Sequence, residues 1–111
     1  MGYGKIDLPL RVDLYNRPRQ LVCFKHGKKA ETEFKIIERS SGGVRIALFP
    51  ITGRTHQLRV HAAHKSGLNS PIKGDSLYGS SAERLFLHAE EIKFEHPASG
   101  KTVILISPAP F

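Results

Sequence analysis

The 111-residue sequence holds a single cysteine, Cys23, and no tryptophan. One cysteine excludes an internal disulfide and a zinc site built from cysteines, and we expect its thiol to be buried and unreactive. No segment approaches the roughly 18 consecutive apolar residues of a membrane helix, and the amino terminus lacks the features of a secretory signal peptide. The sequence therefore predicts a soluble, cytoplasmic protein with no membrane partner.

Acidic residues are missing from one long stretch of this basic chain. The chain has 17 lysines and arginines against 10 aspartates and glutamates, yet residues 39–74 contain six basic residues and no acidic one. A stretch without carboxylates produces a local positive field that attracts polyphosphate. Solvated surface charges would give the same composition, so charge alone leaves both interpretations open.

The hydrophobic pattern predicts an α+β domain with a mixed, mainly antiparallel β-sheet and one or two helices. Residues 1–29 are expected to be an irregular entry with a turn at 16–19. The predicted strands, of which the first two form a hairpin, are 32–38, 44–49, 84–89, 91–95 and 102–106. A core of this size is marginal for independent stability, which suggests a missing partner segment.

The segment 50–61 is the densest in polar side chains and lies where a strand gives way to a helix. Thr55 is the predicted N-cap of a helix over about 56–66, with Gly67 as its C-terminal stop. Helix amide groups together with Arg59 would form an anion site. Because no acidic residue is near in sequence, the counter-charge of Arg54 and Arg59 is expected from outside the chain, as phosphate or a carboxylate of another segment. A plain capped surface helix is the alternative.

Other chemistries have weaker support in the sequence. His61 and His64 are three residues apart, but the helix has no acidic residue to complete a zinc site, so no metal is predicted. His88 is interpreted as a hydrogen-bonded structural histidine and His96 as a turn residue. Neither a nucleophile elbow nor a phosphate-binding loop is present, so hydrolase chemistry and nucleotide cofactors are not indicated.

The segment Gly53-Arg54-Thr55-His56-Gln57-Leu58-Arg59-Val60-His61 resembles the G-R-[ST]-H-Q-[LI]-R-V-H motif of the RluA family of RNA pseudouridine synthases. Three further blocks agree in order and spacing, namely residues 71–79, residues 84–89 and the His96-Pro97 pair. Upstream, Asn16-Arg17-Pro18 is also similar, particularly to the A-type enzymes of this family that modify ribosomal RNA. The resemblance covers residues 7–111.

The resemblance implies an isomerase that converts uridine to pseudouridine in structured rRNA, tRNA or both, without a cofactor or metal. In that family the nucleophile is an aspartate of an upstream H-R-L-D block. The only aspartates here are Asp7, Asp13 and Asp75, and none stands in such a block. The chain 1–111 is thus expected to be the C-terminal part of one catalytic domain, inactive without the N-terminal half.

Residue roles follow from the resemblance position by position. Arg59 matches the arginine that pairs with the nucleophilic aspartate, and Leu87 matches the apolar wall of the uracil pocket. Asp75 and Tyr78 are expected to be structural rather than cleft-lining. The residues expected to contact RNA are Arg54, Thr55, His56, Gln57, Lys65 and Lys73.

Two other functions remain open at this point. The chain could be a non-catalytic RNA-binding module that uses only its basic stretch. It could also be a structural or protein-interaction fragment, which binding of labelled RNA at low salt would exclude.

Overall fold

Antiparallel pairing of strands that are close in sequence builds most of the fold. The computed structural model describes residues 2–95 and 97–111. Within that part the chain folds into a three-stranded sheet, two separate two-stranded sheets and one short helix, in agreement with the predicted fold class. The elements in chain order are β1 (Tyr3–Asp7), β2 (Leu10–Val12), β3 (Gln20–Val22), β4 (Glu31–Ser40), β5 (Gly43–Pro50), α1 (Gln57–Ala63), β6 (Glu91–Glu95) and β7 (Thr102–Ile106).

Strand β4 is the centre of the larger sheet, whose order is β1-β4-β5. The predicted hairpin of β4 and β5 is confirmed, with Ser40 paired to Gly43 at the turn. The pairing shifts register between Ile36 and Glu38. Two consecutive isoleucines cannot face the same side of a strand, so the extra residue, Ile37, is accommodated at an irregularity and stays exposed.

The first 29 residues are more regular than expected. They form three of the strands, of which β1 pairs with β4 and β2 pairs with β3, both antiparallel. Pro9 and Pro18 interrupt the hydrophobic pattern but lie outside the strands, so they do not prevent the pairing. The predicted turn between β2 and β3 is present, where the Asp13 carboxylate accepts hydrogen bonds from Tyr15 N and Asn16 Nδ2.

Helix α1 is shorter than the predicted helix over 56–66. It begins at Gln57 and its N-cap is His56, in the left-handed region at φ 55°, so the prediction of a Thr55 cap is wrong. The helix ends at Ala63, before Gly67 is reached. Gly67 instead lies in the following turn, where a Cβ atom would be 1.9 Å from the carbonyl oxygen of His61.

The segment 84–89 is not a strand, contrary to prediction. It runs beside the loop at residues 73–74, where Phe86 N donates to Lys73 O at 2.9 Å, and it forms no ladder within the described residues. Strands β6 and β7 are confirmed as an antiparallel pair. Of the turn predicted between them, His96 lies outside the described residues. His88 is structural as expected, with its Nε2 donating to Ser107 O at 2.7 Å.

Two smaller findings concern membrane spans and Cys23. In the part of the chain that the structure describes, no helix is long and apolar enough to cross a membrane. Cys23 is only half-buried, contrary to expectation, because it lies in the turn that follows β3. The amide of His26 donates to its Sγ and lowers the pKa of the thiol.

A small core joins the helix to the strands. Leu10, Ala30 and Val60 form the buried cluster, against which Val22 and Tyr78 pack. Beside it, His61 is 1% exposed. Its Nε2 donates to the carbonyl oxygen of residue 8 at 2.9 Å, and its Nδ1 accepts from the hydroxyl of residue 32 at 2.8 Å. Since a carbonyl only accepts hydrogen bonds, this arrangement requires neutral His61 with its proton on Nε2.

The buried neutral His61 predicts acid sensitivity of the fold. Burial lowers its pKa, so the unfolded chain binds more protons than the folded chain below the ordinary histidine pKa of about 6.5. The free energy of unfolding should therefore fall as the pH drops from 7.5 to 5.5. Urea denaturation of His61→Gln should show a smaller fall, and His56, whose pKa is also lowered, accounts for the remainder. The exposed-residue control His26→Gln should retain the full fall, and a full fall in His61→Gln would contradict this account.

Candidate active site

The centre of the candidate site is an ion pair between the helix and the loop that follows it. Arg59 Nε donates to Asp75 Oδ2 at 3.0 Å, and Arg59 Nη2 donates to Asp75 Oδ1 at 2.7 Å. The Asp75 side chain is fully buried and that of Arg59 is 18% exposed. A two-point contact between a guanidinium and a carboxylate fixes orientation as well as position, so Arg59 is held in one direction.

The loop places Asp75 under the helix through its own backbone. Asp75 Oδ1 also accepts hydrogen bonds from the amides of Leu77 and Tyr78, both at 3.1 Å. Burial opposes ionisation of this carboxyl, but the hydrogen bonds from Arg59 and from these amides outweigh burial and hold its pKa below the usual value. Gly74 precedes it at φ 84°, and a Cβ atom there would lie 1.7 Å from Arg84 O. Glycine is therefore required where the loop passes the segment that carries Leu87.

The expectation that Arg59 has no counter-charge in this chain is wrong. Asp75 neutralises it, and sequence distance conceals the partner because the loop returns 16 residues later. The anion site expected at the helix start is not formed either, since α1 spans only seven residues and Gln57 N already donates to Arg54 O at 3.0 Å. Asp75 is structural, as predicted, but it supports the functional arginine directly.

Tyr78 connects this ion pair to the β2–β3 hairpin. Its hydroxyl oxygen accepts a hydrogen bond from Gln20 N at 2.8 Å and lies 2.8 Å from His56 Nδ1. The guanidinium groups of Arg19 and Arg59 lie 5.2 and 5.4 Å from the centroid of its ring. The electron-rich ring between two cations reduces their repulsion, so Tyr78 is more than a spacer.

His56 is the strained residue of the site. Its left-handed backbone is uncommon for a residue with a side chain, and such strain is concentrated at functional sites. Burial, followed by the nearby cation of Arg59, lowers its pKa, so the ring is neutral at pH 7. Because the Tyr78 oxygen already accepts from the Gln20 amide, its proton points to His56 Nδ1. The other ring nitrogen of His56 then carries the hydrogen and is a donor.

A cavity of about 350 Å³ brings the two predicted active-site residues together. Arg59 and Leu87 both line it, with His56 between the polar and apolar parts and with Leu58 and Pro50 extending the apolar wall. Ligand cavities in proteins measure ~300–1,000 Å³ and combine apolar walls with a few polar groups. The cavity has these properties and is small enough to suit a single planar group.

Gln57 has a different role from the predicted RNA contact. Its Nε2 donates to Glu31 O at 2.8 Å and to Thr32 Oγ1 at 2.9 Å. Its Oε1 accepts from Thr52 Oγ1 at 2.6 Å and from Arg54 N at 3.1 Å. All four hydrogen-bonding positions of the amide are thus filled within the chain. Gln57 joins β4 to the loop that precedes the helix, and no capacity remains for RNA.

The other predicted RNA contacts divide into two groups. Arg54 is exposed, lines the cavity and is anchored through Nε to Lys29 O at 2.9 Å; Thr55 is exposed beside it. Lys65 and Lys73 are exposed as well but line neither this cavity nor the larger one next to it. The Lys73 ammonium instead lies 4.6 Å from the centroid of the Phe86 ring.

Sequence reasoning missed the contribution of the β2–β3 hairpin to the site. Arg19 and Gln20 reach Tyr78 although they are nearly 60 residues away in sequence. The only signal in the sequence was the basic cluster Asn16-Arg17-Pro18-Arg19, which indicated a turn but not its neighbour in space.

Comparison with known proteins agrees with this geometry. Residues 3–64 match the family model described as RNA pseudouridylate synthase. The chain is 46% identical over 114 residues to the dual-specificity RNA pseudouridine synthase RluA of Escherichia coli K12, which covers 97% of this chain and 51% of that protein. The counterpart from Vibrio cholerae is 42% identical over 113 residues, covering 97% and 45%. The chain therefore spans about half the length of the curated relatives it matches.

The fold is also similar to a solved structure. The chain matches the human RNA pseudouridylate synthase domain containing 4 with a TM-score of 0.69, at 21% sequence identity, over 98% of this chain and 52% of that one. At this level of identity the match concerns the fold. It agrees with the mainly antiparallel architecture described above.

Removal of the buried charge of Asp75 should destabilise the chain. Asp75→Asn retains the size of the side chain but leaves Arg59 without its carboxylate, and we expect the free energy of unfolding to fall by about 2–4 kcal/mol. Asp13→Asn changes a carboxylate that also accepts two hydrogen bonds, but at an exposed turn, and should cost less than about 1 kcal/mol. Urea denaturation of both variants measures the difference, and equal effects would show that the Asp75 pair contributes no special stability.

Proposed function

Because the chain belongs to the RNA pseudouridylate synthase family, we propose that it forms the C-terminal part of one catalytic domain that converts uridine to pseudouridine in rRNA, tRNA or both. The proposal rests most directly on the cavity in which Arg59, oriented by Asp75, faces the apolar wall at Leu87. Ribosomal and transfer RNA as substrates imply a cytoplasmic location.

Arg59 would orient a carboxylate nucleophile that comes from another segment. A guanidinium has five N–H groups, and Asp75 takes two of them, which leaves three for a second acceptor. A cation beside that carboxylate lowers its pKa and keeps it ionised. The Arg59–Asp75 pair has no net charge, so the contribution of Arg59 is mainly directional. Neighbouring Arg19 and Arg54 supply the surplus positive charge.

No aspartate of this chain is available for that nucleophilic role. Asp75 is fully buried beneath Arg59, and neither Asp7 nor Asp13 lines the cavity. We therefore propose that the nucleophile belongs to an N-terminal half carrying an H-R-L-D block, and that this half is the partner of the chain within the domain. The exposed apolar side chains on β5 and after it, Val44, Phe49 and Ile51, are available for packing against that half.

The remaining side chains would bind the target base and its backbone. A uridine turned out of its RNA loop would place its flat ring against Leu87 and Leu58, away from water. The donor nitrogen of His56 would then face either a carbonyl of the base or a phosphate. Arg54 at the rim would hold a phosphate, since a guanidinium suits two-point contact with phosphate oxygens.

Catalysis should depend on the nucleophile and on the fork of Arg59. The chain alone should release no tritium from RNA labelled at uridine C5, whereas the chain joined to an H-R-L-D half of a related synthase should release it. In that joined protein, Arg59→Ala should lower turnover by a factor of roughly 100 or more while RNA affinity changes only a few-fold.

Arg59→Lys is the matched control, since it retains the charge but not the two-point geometry, and it should also be impaired. Near-normal turnover in Arg59→Ala would remove Arg59 from the mechanism. Tritium release by the chain alone would show that the nucleophile is within it. RNA binding by a joined protein that never turns over would favour a non-catalytic module.

A further inference from the structure

A second, larger cavity lies beside the candidate active site. It measures about 710 Å³ and opens between the β2–β3 hairpin and the loop at residues 53–55. We call it the hairpin groove. The six polar residues that line it are Arg11, Gln20, His26, Lys28, Arg54 and Thr55. All its lining residues are described, and none of them is acidic.

The charge of the hairpin groove is not cancelled by ion pairs within the described residues. The ion pairs found there join Lys5 and Lys29 to Glu31, and Arg59 to Asp75. Glu31, the acidic residue next to the groove in sequence, is thus occupied by lysines that do not line it. Arg11, Lys28 and Arg54 therefore give the groove a positive potential directed to solvent, which is the electrostatic requirement for binding a polyanion.

The hairpin groove and the candidate active site share a wall. Gly53 and Arg54 line both cavities. The Nε of Arg54 is fixed to Lys29 O, so the guanidinium stands at the boundary. A chain of phosphates that leaves the smaller cavity on this side enters the groove directly.

The hairpin that forms the other wall is tied rigidly to the catalytic side chains. Gln20 N donates to the Tyr78 hydroxyl, which contacts His56, and Val22 packs on the core through which Leu10 meets Val60. Pre-formed walls reduce the entropy that binding must offset. Thr55 and Gln20 add hydrogen-bonding groups of the kind that recognise a ribose hydroxyl.

From these observations we infer that the hairpin groove holds the single-stranded RNA backbone next to the target uridine, with Arg11, Lys28 and Arg54 on its phosphates. This inference rests on the proposed function, because it assigns the path of the same RNA. It adds Arg11, Lys28 and the β2–β3 hairpin to the RNA-binding surface, where neither the motif nor the acid-free stretch at 39–74 indicated them.

The test measures the salt dependence of RNA binding. A fluorescein-labelled RNA hairpin with a uridine-containing single-stranded loop is titrated with the chain between 50 and 200 mM salt. Arg11→Gln/Lys28→Gln should flatten the slope of log affinity against log salt by about 1.4, because each lost phosphate contact on a single strand removes about 0.7. The weakening should be equal for a second loop sequence, since phosphate contacts carry no sequence information.

Lys35→Gln/Lys101→Gln is the matched control, which removes two exposed charges far from the groove and should leave the slope near that of the unchanged chain. Lys28→Gln alone, at an exposed side chain, should flatten the slope by about 0.7 and guards against misfolding of the double variant. Equal slopes for the groove and control variants would overturn the inference while the proposed function stands. Failure of the unchanged chain to bind either RNA at 50 mM salt would overturn both.

Discussion

The two-point contact between Arg59 and Asp75 is the interaction on which the rest of the site depends. It joins the short helix to the loop at residues 71–79 and buries a carboxylate completely. Removal of two charges from water is costly, and the cost is offset here because Asp75 also accepts two backbone amides. The same contact spends only two of the five N–H groups of the guanidinium. Structure and chemistry therefore use different parts of a single side chain.

From that pair, order extends in two directions. Asp75 fixes the backbone at Tyr78, and Tyr78 fixes both His56 and the β2–β3 hairpin. On the other side of the helix, Gln57 and His61 satisfy every polar group they bury through contacts with β4 and the end of β1. A seven-residue helix has little intrinsic stability, so these side-chain contacts hold it in place. Cooperation among them explains how a small core supports a defined site.

Local sequence signals predicted the parts of the fold that depend on local order. The β4–β5 hairpin follows from alternating apolar residues around Ser41-Gly42, and β6 and β7 from similar patterns. Strands β1 and β3 could not be predicted, because β1 pairs with residues about 30 positions away and β3 is only three residues long. Helix length failed since left-handed His56, not a capping side chain, begins it. Segment 84–89 alternates like a strand but meets a loop.

The same distinction applies to the candidate site. The motif at 53–61 and the block at 84–89 identified Arg59 and Leu87, and the structure brings both to one cavity. Nothing in the sequence indicated that Asp75 neutralises Arg59, that Gln57 has no free hydrogen-bonding capacity, or that the hairpin lines a basic groove. Each of these depends on which residues meet in space after folding. Motifs name the reactive groups, whereas long-range contacts decide which of them remain available.

The central claim is that Arg59, while bound to Asp75, presents its remaining N–H groups to a carboxylate from outside these 111 residues. A crystal structure of the chain joined to an H-R-L-D half tests it most directly. The account predicts the aspartate of that block within about 3 Å of a guanidinium nitrogen of Arg59, the distance of a charge-assisted hydrogen bond, with Asp75 still bound at Nε. An aspartate far from Arg59, or a guanidinium released from Asp75 and turned out of the cavity, would contradict it.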